Sequence, residues 1–304
     1  MKEETINLVL RTADDMGYYK AKNQKLRQSI PTVRMVALFQ QESHNMGAMT
    51  YGILEGIRKE VIEQQRNMRL EYETISVEDN NFRDRIEKGN IDVAILVGKM
   101  DSEILTFLDN HIPYMIYSGL DSIIGYDEII CDSREGIRKG VAFLANRGMR
   151  RIAYVGPVRT GTEYKYMGYI EGLTDNGLTR DENLIENSDL STSSGYEAAK
   201  TLLARMVPDA IIAANDNVAI GVLRALKEKG ITCPEDTALI GFDNLDTSAY
   251  LEPSLSTFDV PRKELGRFAV KIAIDRVENP REDSIRITLP YTFIERESTF
   301  KMMM

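Results

Sequence analysis

The chain has 304 residues, of which 43% are hydrophobic and 28% charged, and its formal net charge is −9. The length is enough for two compact lobes, and the composition is that of a globular protein. An acidic chain repels a phosphate backbone, which excludes most of this surface as a nucleic-acid interface.

Two cysteines, Cys131 and Cys233, exclude a disulfide framework and a metal-spaced cluster. No apolar run approaches the roughly 20 residues that a membrane span needs. The polar start of the chain is unlike a signal peptide. We therefore expect a cytoplasmic protein.

The first 34 residues combine a predicted helix over residues 3–16 with a basic segment over residues 18–34. The basic segment contains no acidic residue, although the chain as a whole is acidic. It is either a solvated linker or a segment that contacts phosphates.

From residue 33 onward short apolar runs alternate with amphipathic helical stretches, as in a βαβ series. Strands are predicted over residues 35–39, 93–97, 114–117, 151–156, 210–214 and 238–242, and helices over 53–62, 163–176, 194–206 and 217–229. The series restarts near residue 151. This pattern predicts an α/β fold with two lobes, each a doubly wound parallel sheet, and a ligand cleft at the carboxyl ends of the strands.

Five motifs lie in the order in which the lactose-repressor (LacI/GalR) family of transcription regulators carries them. They are GVAFLANRGMRRIAYVG (140–156), ANDNVAIG (214–221), PEDTALIGFDN (234–244), PSLST (253–257) and EREST (295–299). The chain resembles that family, whose effector-binding core is similar to periplasmic sugar-binding proteins.

The resemblance implies a division into three parts. Residues 32–149 plus 261–287 would form an N-terminal lobe, and residues 150–260 plus 288–304 a C-terminal lobe. Residues 1–31 resemble the last helix and the hinge of the family's DNA-binding headpiece, with the helix-turn-helix truncated.

The hinge segment is the predicted DNA contact. Leu26 matches the family's leucine that wedges open the minor groove, and Lys22, Lys25 and Arg27 are basic residues suited to phosphates. The segment lacks the family's usual RPN turn.

Three polar residues are predicted at the cleft in the second lobe. Asn215 offers both a donor and an acceptor to sugar hydroxyls. Asp243 matches the family's sugar-binding aspartate, with a turn role as the alternative. Asp216 is a candidate for ligand contact or for capping the helix that follows it.

Two further positions depart from the family pattern. Lys165 stands where the family has an arginine that binds the effector through two hydrogen bonds, and Leu190 stands where an aromatic ring is frequent. Both remain candidate ligand contacts, and they leave open a non-sugar effector such as a nucleobase or a phosphorylated metabolite.

Four candidates belong to the first lobe and to the wall between the lobes. Gln40 and Asn45 lie in the loop where the family contacts its effector. Asp132 and Glu135 match the family's VDNxxxG segment, where Asp132 is either a ligand contact or a helix cap.

The sequence contains no catalytic motif and no metal-spaced cluster, and we expect neither an enzyme nor a cofactor. The resemblance implies the effector-binding and dimerisation core of a DNA-binding transcription regulator, a homodimer that senses a carbohydrate or related metabolite. The alternative is a cytoplasmic sugar-binding protein that does not bind DNA.

Overall fold

A computed structural model describes residues 33–40, 48–75, 80–98, 100–120, 125–158 and 163–299 of the chain. The predicted helix 3–16 lies outside the described residues, as do the hinge residues Lys22, Lys25, Leu26 and Arg27. Asn45 and the side chain of Gln40 also lie outside them.

The described residues form twelve strands. They are β1 (Val33–Gln40), β2 (Met68–Ile75), β3 (Val93–Val97), β4 (Tyr114–Gly119), β5 (Asp127–Ile130), β6 (Ile152–Val155), β7 (Ile185–Glu186), β8 (Ala210–Ala213), β9 (Ala238–Ile240), β10 (Thr257–Asp259), β11 (Arg286–Thr288) and β12 (Thr292–Ile294).

Eight α-helices occur in the same part of the chain. They are α1 (Ala48–Glu63), α2 (Asn80–Lys88), α3 (Ser102–Asp109), α4 (Ser133–Asn146), α5 (Tyr164–Asp175), α6 (Thr192–Arg205), α7 (Asp216–Glu228) and α8 (Arg262–Glu278). No helix of the described ranges has the length and hydropathy needed to traverse a bilayer.

The first sheet has six strands in the order β11-β5-β4-β3-β1-β2, and its neighbouring strands are parallel. Alternate residues of β1 point to opposite faces, as a pleated strand requires. Met35 and Ala37 pack into the core with α1 and α8, whereas Val36 and Leu38 pack with α2 and α3. Helices on both faces explain why β3 is buried along its whole length.

The second sheet has four parallel strands in the order β7-β6-β8-β9. Ile152 and Tyr154 of β6 pack with α4 and α5, and Ala153 and Val155 pack with α6 and α7. The two sheets confirm the predicted fold class, an α/β protein with two doubly wound parallel sheets.

Strands β10 and β12 form a separate two-stranded antiparallel sheet, and the isolated bridges Ile240–Ser256 and Asp243–Asp259 lie beside β9. The chain leaves the first sheet after β5, returns to it at β11 by way of α8, and leaves it again for β12. The predicted domain boundaries stay a prediction. However, α4 packs against α5 and β8 of the second sheet. This helix lies within residues 32–149, which the prediction assigns to the N-terminal lobe.

Candidate functional site

The carboxyl ends of the second sheet bring together three predicted residues from separate parts of the chain. Asn215 follows β8, Asp243 follows β9, and Lys165 lies in the first turn of α5. Parallel strands place their carboxyl ends at one edge of a sheet, where open α/β proteins bind ligands.

Asp243 is held in an unusual environment. Its side chain is 17% exposed, and its Oδ1 atom is buried without a hydrogen-bond partner among the described residues. Leaving a buried acceptor unsatisfied costs about 1–3 kcal/mol. The backbone N–H of Asp243 donates to the carbonyl of Phe258 at 3.0 Å, which fixes the main chain while Oδ1 remains available.

Lys165 is the cation next to this carboxylate. Its ammonium Nζ donates to the carbonyl of Ala214 at 2.7 Å and lies 4.0 Å from Asp243 Oδ1, too far for a hydrogen bond. It also lies 4.1 Å from the ring centroid of Phe242, a cation–π distance. The ammonium therefore has donors left for a group placed between it and Asp243.

Burial raises the pKa of Asp243 to about 6, and the nearby carboxylate of Asp216 acts in the same direction. The cations Lys165 and Arg262 oppose that rise by favouring the charged form. Asp243 is thus a carboxyl group whose charge depends on what occupies its surroundings.

Asn215, and not Asp216, caps α7. Its Oδ1 accepts from the backbone N–H of Val218 at 2.8 Å, and its Nδ2 donates to the carbonyl of Leu190 at 3.1 Å. One amide hydrogen and one acceptor site of Asn215 remain for a ligand.

Asp216 lies inside the lobe, fully buried. Its Oδ1 accepts from Thr257 Oγ1 at 2.6 Å, and its Oδ2 accepts from Ser248 Oγ at 2.7 Å and from the N–H of Leu245 at 2.8 Å. Burial raises the pKa of Asp216, and these hydrogen bonds oppose the rise. Its predicted capping role is wrong, because these oxygens bond to the segments that follow β9.

Leu190 lies next to Asn215 at the carboxyl end of the second sheet. Its side chain is 37% exposed and its backbone is left-handed, with φ of 73°. The preceding Asp189 accepts hydrogen bonds from Ser191 and Ser194, which lower its pKa to about 2. The loop is therefore fixed at the start of α6 and presents an apolar side chain to solvent.

Asp132 caps α4 and accepts from the N–H of Glu135 at 3.1 Å, as the alternative to ligand contact predicted. Glu135 forms ion pairs with Arg138 at 2.9 Å and with Lys139 at 3.6 Å along the same helix. Ligand contact by either carboxylate stays a prediction.

Comparison with known protein families assigns the chain to one of them. A family model described as a periplasmic binding protein-like domain matches residues 141–299. The chain belongs to this family.

Relatives within it are transcription regulators. The HTH-type transcriptional repressor MelR of Bacillus subtilis is 26% identical over 312 residues, which cover 97% of this chain and 88% of the repressor. A regulatory protein of the LacI family from Chloroflexus aggregans is 26% identical, with a TM-score of 0.77 over 87% of this chain and 98% of that one. The chain is thus homologous to LacI-family regulators.

A second similar structure is the transcriptional regulator CelR in complex with cellobiose, and the match covers 98% of this chain and 91% of CelR. Its TM-score is 0.77 at 24% identity, so this likeness shows the fold.

A cavity of about 710 Å³ lies close to the Asp243–Asn244 turn, and its described lining includes none of the residues that the sequence predicts for the site. Its walls come from the elements of both sheets, namely Tyr51, Gly52 and Glu55 of α1, Asn217 of α7, the turn 245–247 and the crossing segment 259–264. Arg262 connects it to the site, since its Nη2 donates to the carbonyl of Asn244 at 3.2 Å. Of these residues only Asn217 lies in a quoted motif, because segments far apart in the chain form the cavity.

The described residues contain no group of three or more His, Cys, Asp or Glu side chains that could hold a metal ion.

Proposed function

We propose that this chain is the effector-binding core of a LacI-type transcription regulator that senses a sugar or a related small metabolite. One observation carries the proposal. A buried carboxylate oxygen, Asp243 Oδ1, has no hydrogen-bond partner among the described residues, and it follows a strand of a chain that is homologous to transcription repressors.

The polar groups around Asp243 suit a polyhydroxylated ligand. One hydroxyl can donate to Asp243 Oδ1 while a neighbouring oxygen accepts from Lys165 Nζ, since these two atoms lie 4.0 Å apart. Asn215 adds one donor and one acceptor, and Leu190 adds an apolar surface for the CH face of a sugar ring. Lys165 and Asn215 keep hydrogen-bonding capacity beyond their partners in the protein, and a ligand would use it.

The ligand would bridge the two lobes. The cavity beside Asp243 has walls from α1 of the first sheet and α7 of the second, so a bound molecule draws the two together. In a homodimer this closure would change the spacing of the first lobes and, through them, the affinity for operator DNA. Homodimerisation, DNA binding and the lobe boundaries are parts of this proposal.

Calorimetric titration tests the proposed function directly. The full chain would be titrated with mono- and disaccharides that include cellobiose, and with sugar phosphates and nucleobases as rival classes. We expect saturable 1:1 binding by a sugar. Binding confined to a nucleobase would contradict the sugar assignment, and no binding by any compound would contradict the sensor assignment.

Small-angle X-ray scattering tests the closure. With the bound compound, the radius of gyration should fall relative to the free chain at the same concentration. A compound in the titration panel that produces no heat serves as the control. An unchanged radius of gyration at saturation would contradict bridging of the lobes.

A further inference from the structure

We propose that Asp216 is a positioning residue of the effector site, holding the Asp243–Asn244 turn in its left-handed backbone conformation from inside the second lobe. This inference rests on the proposed function for the meaning of the site. It assigns Asp216 a role other than the ligand contact that the sequence predicts.

The turn needs such a restraint. Asp243 has φ of 104° and Asn244 has φ of 49°, two consecutive residues other than glycine in a region that L-residues rarely adopt. A strained backbone of this kind persists only where surrounding contacts hold it. If the turn relaxes toward negative φ, the carboxylate of Asp243 leaves its place beside Lys165.

Asp216 reaches the turn through two routes. Its Oδ2 accepts from the N–H of Leu245, the residue directly after the turn, at 2.8 Å. Its Oδ1 accepts from Thr257 Oγ1 at 2.6 Å, and the same hydroxyl oxygen accepts from the N–H of Asn244 at 3.2 Å. Both amides that follow Asp243 are therefore tied to one buried carboxylate.

The strand that leads into the turn packs against the same carboxylate. The N–H of Asp216 donates to the carbonyl of Phe242 at 2.8 Å. A Cβ atom at Gly241 would lie only 2.2 Å from Asp216 Oδ1, so the backbone can approach the carboxylate this closely only as glycine. Asp216 thus contacts the chain on both sides of Asp243.

The two carboxylates also interact electrostatically. The charged groups that act on Asp243 are Lys165 of α5, Arg262 of α8 and Asp216 of α7, of which Asp216 is the anion. Removing that negative charge should lower the pKa of Asp243. The pKa of Asp243 therefore reports how close the two carboxylates lie, whereas hydrogen exchange of the turn amides reports whether Asp216 restrains the turn.

Asp209 provides a matched control in the same sheet. It lies at the opposite, amino end of β8 and accepts from the N–H groups of Arg150 and Arg151, both at 2.9 Å, and from the Arg151 guanidinium at 2.8 Å. The variant Asp209→Asn therefore loses a comparable set of hydrogen bonds without touching the turn.

The experiment compares Asp216→Asn with Asp209→Asn in the full chain, free of ligand. Hydrogen–deuterium exchange of the peptide 241–248 should accelerate by at least about tenfold in Asp216→Asn, because an amide offers one acceptor oxygen where the carboxylate offered two. Carbon-13 titration of the Asp243 carboxyl should give a lower pKa in that variant. Asp209→Asn should match the wild type in both measurements.

Thr257→Val is a second variant, to be used if Asp216→Asn does not fold. It removes only the hydroxyl that lies between Asp216 and Asn244. Wild-type exchange over 241–248 in a folded Asp216→Asn or Thr257→Val variant would overturn the proposal. So would equal effects of Asp209→Asn.

Measuring the sugar affinity of the same variants separates this inference from the proposed function. With cellobiose or another sugar that binds the wild type, Asp216→Asn should weaken the affinity by at least about tenfold, and Asp209→Asn should leave it unchanged. If no sugar binds the wild type, the proposed function fails while the exchange and titration results still decide the role of Asp216.

Discussion

The two ends of the second sheet each carry an aspartate, and the two aspartates differ in how completely they are hydrogen-bonded. At the amino end, Asp209 is bonded by Arg150 and Arg151, and Thr237 Oγ1 donates to the carbonyl of Pro208 at 2.8 Å. At the carboxyl end, Asp243 Oδ1 has no hydrogen-bond partner among the described residues, and Lys165 Nζ stops 4.0 Å away. Both oxygens of Asp209 accept hydrogen bonds from the protein, whereas Oδ1 of Asp243 is left for the ligand that we propose.

The largest expected effect is on the pH dependence of stability. Burial raises the pKa of Asp243 to about 6 from an ordinary 3.8. The folded chain then keeps a proton on Asp243 that the unfolded chain releases, so the contribution of Asp243 to stability is fully present below about pH 4 and is lost as the pH rises through about 6. The difference corresponds to about 3 kcal/mol.

Urea unfolding of the wild type and Asp243→Asn between pH 4 and 7 measures this effect. The stability of the variant relative to the wild type should rise across that range, since the amide carries no charge at any pH. A constant difference between the two proteins would show that Asp243 titrates normally and would remove the contrast between the two ends of the sheet.

Asp243→Asn should also weaken the binding of any sugar that the wild type binds by about 100-fold. The amide retains one acceptor but loses the charge-assisted hydrogen bonds that a carboxylate offers to neighbouring hydroxyls. Calorimetric titration of both proteins at pH 7.5 measures this loss of affinity. Asparagine tolerates positive φ, so the turn is preserved in the variant. Unchanged affinity would place the ligand elsewhere.

At the amino end of the sheet, Asp209→Ala should lower the stability of the chain and leave its sugar affinity unchanged. Its side chain is 29% exposed, and the loss of its hydrogen bonds should lower the free energy of unfolding by about 1–2 kcal/mol. Sugar affinity should stay within twofold of the wild type. Urea unfolding and calorimetry on the same preparation separate the two effects. A large loss of affinity would mean that the two ends are coupled.

Leu190→Ala gives the smallest expected change. A half-exposed leucine that covers part of a sugar ring contributes about 0.5–1 kcal/mol, so the affinity should fall about threefold to fivefold. Stability should be unchanged within about 0.5 kcal/mol. Calorimetry with the same sugar checks it. An unaltered dissociation constant would remove Leu190 from the site.

Most of the second lobe was predictable because its signals are local. The helix predicted over 217–229 is observed at Asp216–Glu228, and the strand predicted over 210–214 at Ala210–Ala213. The edge strand β2 was missed, since Arg69, Glu71 and Glu73 interrupt the apolar pattern that marks a buried strand. An edge strand is buried on fewer sides and needs fewer apolar residues.

The sequence places Asn215 and Asp216 after β8 but does not decide which of them caps α7. Asn215 and Asp216 are adjacent and both suit a helix cap, so local propensity cannot assign the cap between them. The assignment depends on Thr257 and Ser248, which lie 41 and 32 residues away in the chain and take both oxygens of Asp216.

The sequence by itself determined that an aspartate follows β9 at the ligand edge of a two-lobed α/β fold, because strand periodicity and motif order are local properties. Only the tertiary structure decided that the backbone of this aspartate is left-handed and that its buried Oδ1 has no hydrogen-bond partner in the described part of the chain, whereas both oxygens of Asp209 at the other end of the sheet accept hydrogen bonds. The physical reason is that burial, strain and hydrogen-bond satisfaction depend on residues brought together from α5, α7, β10 and α8, and the sequence does not state those distances.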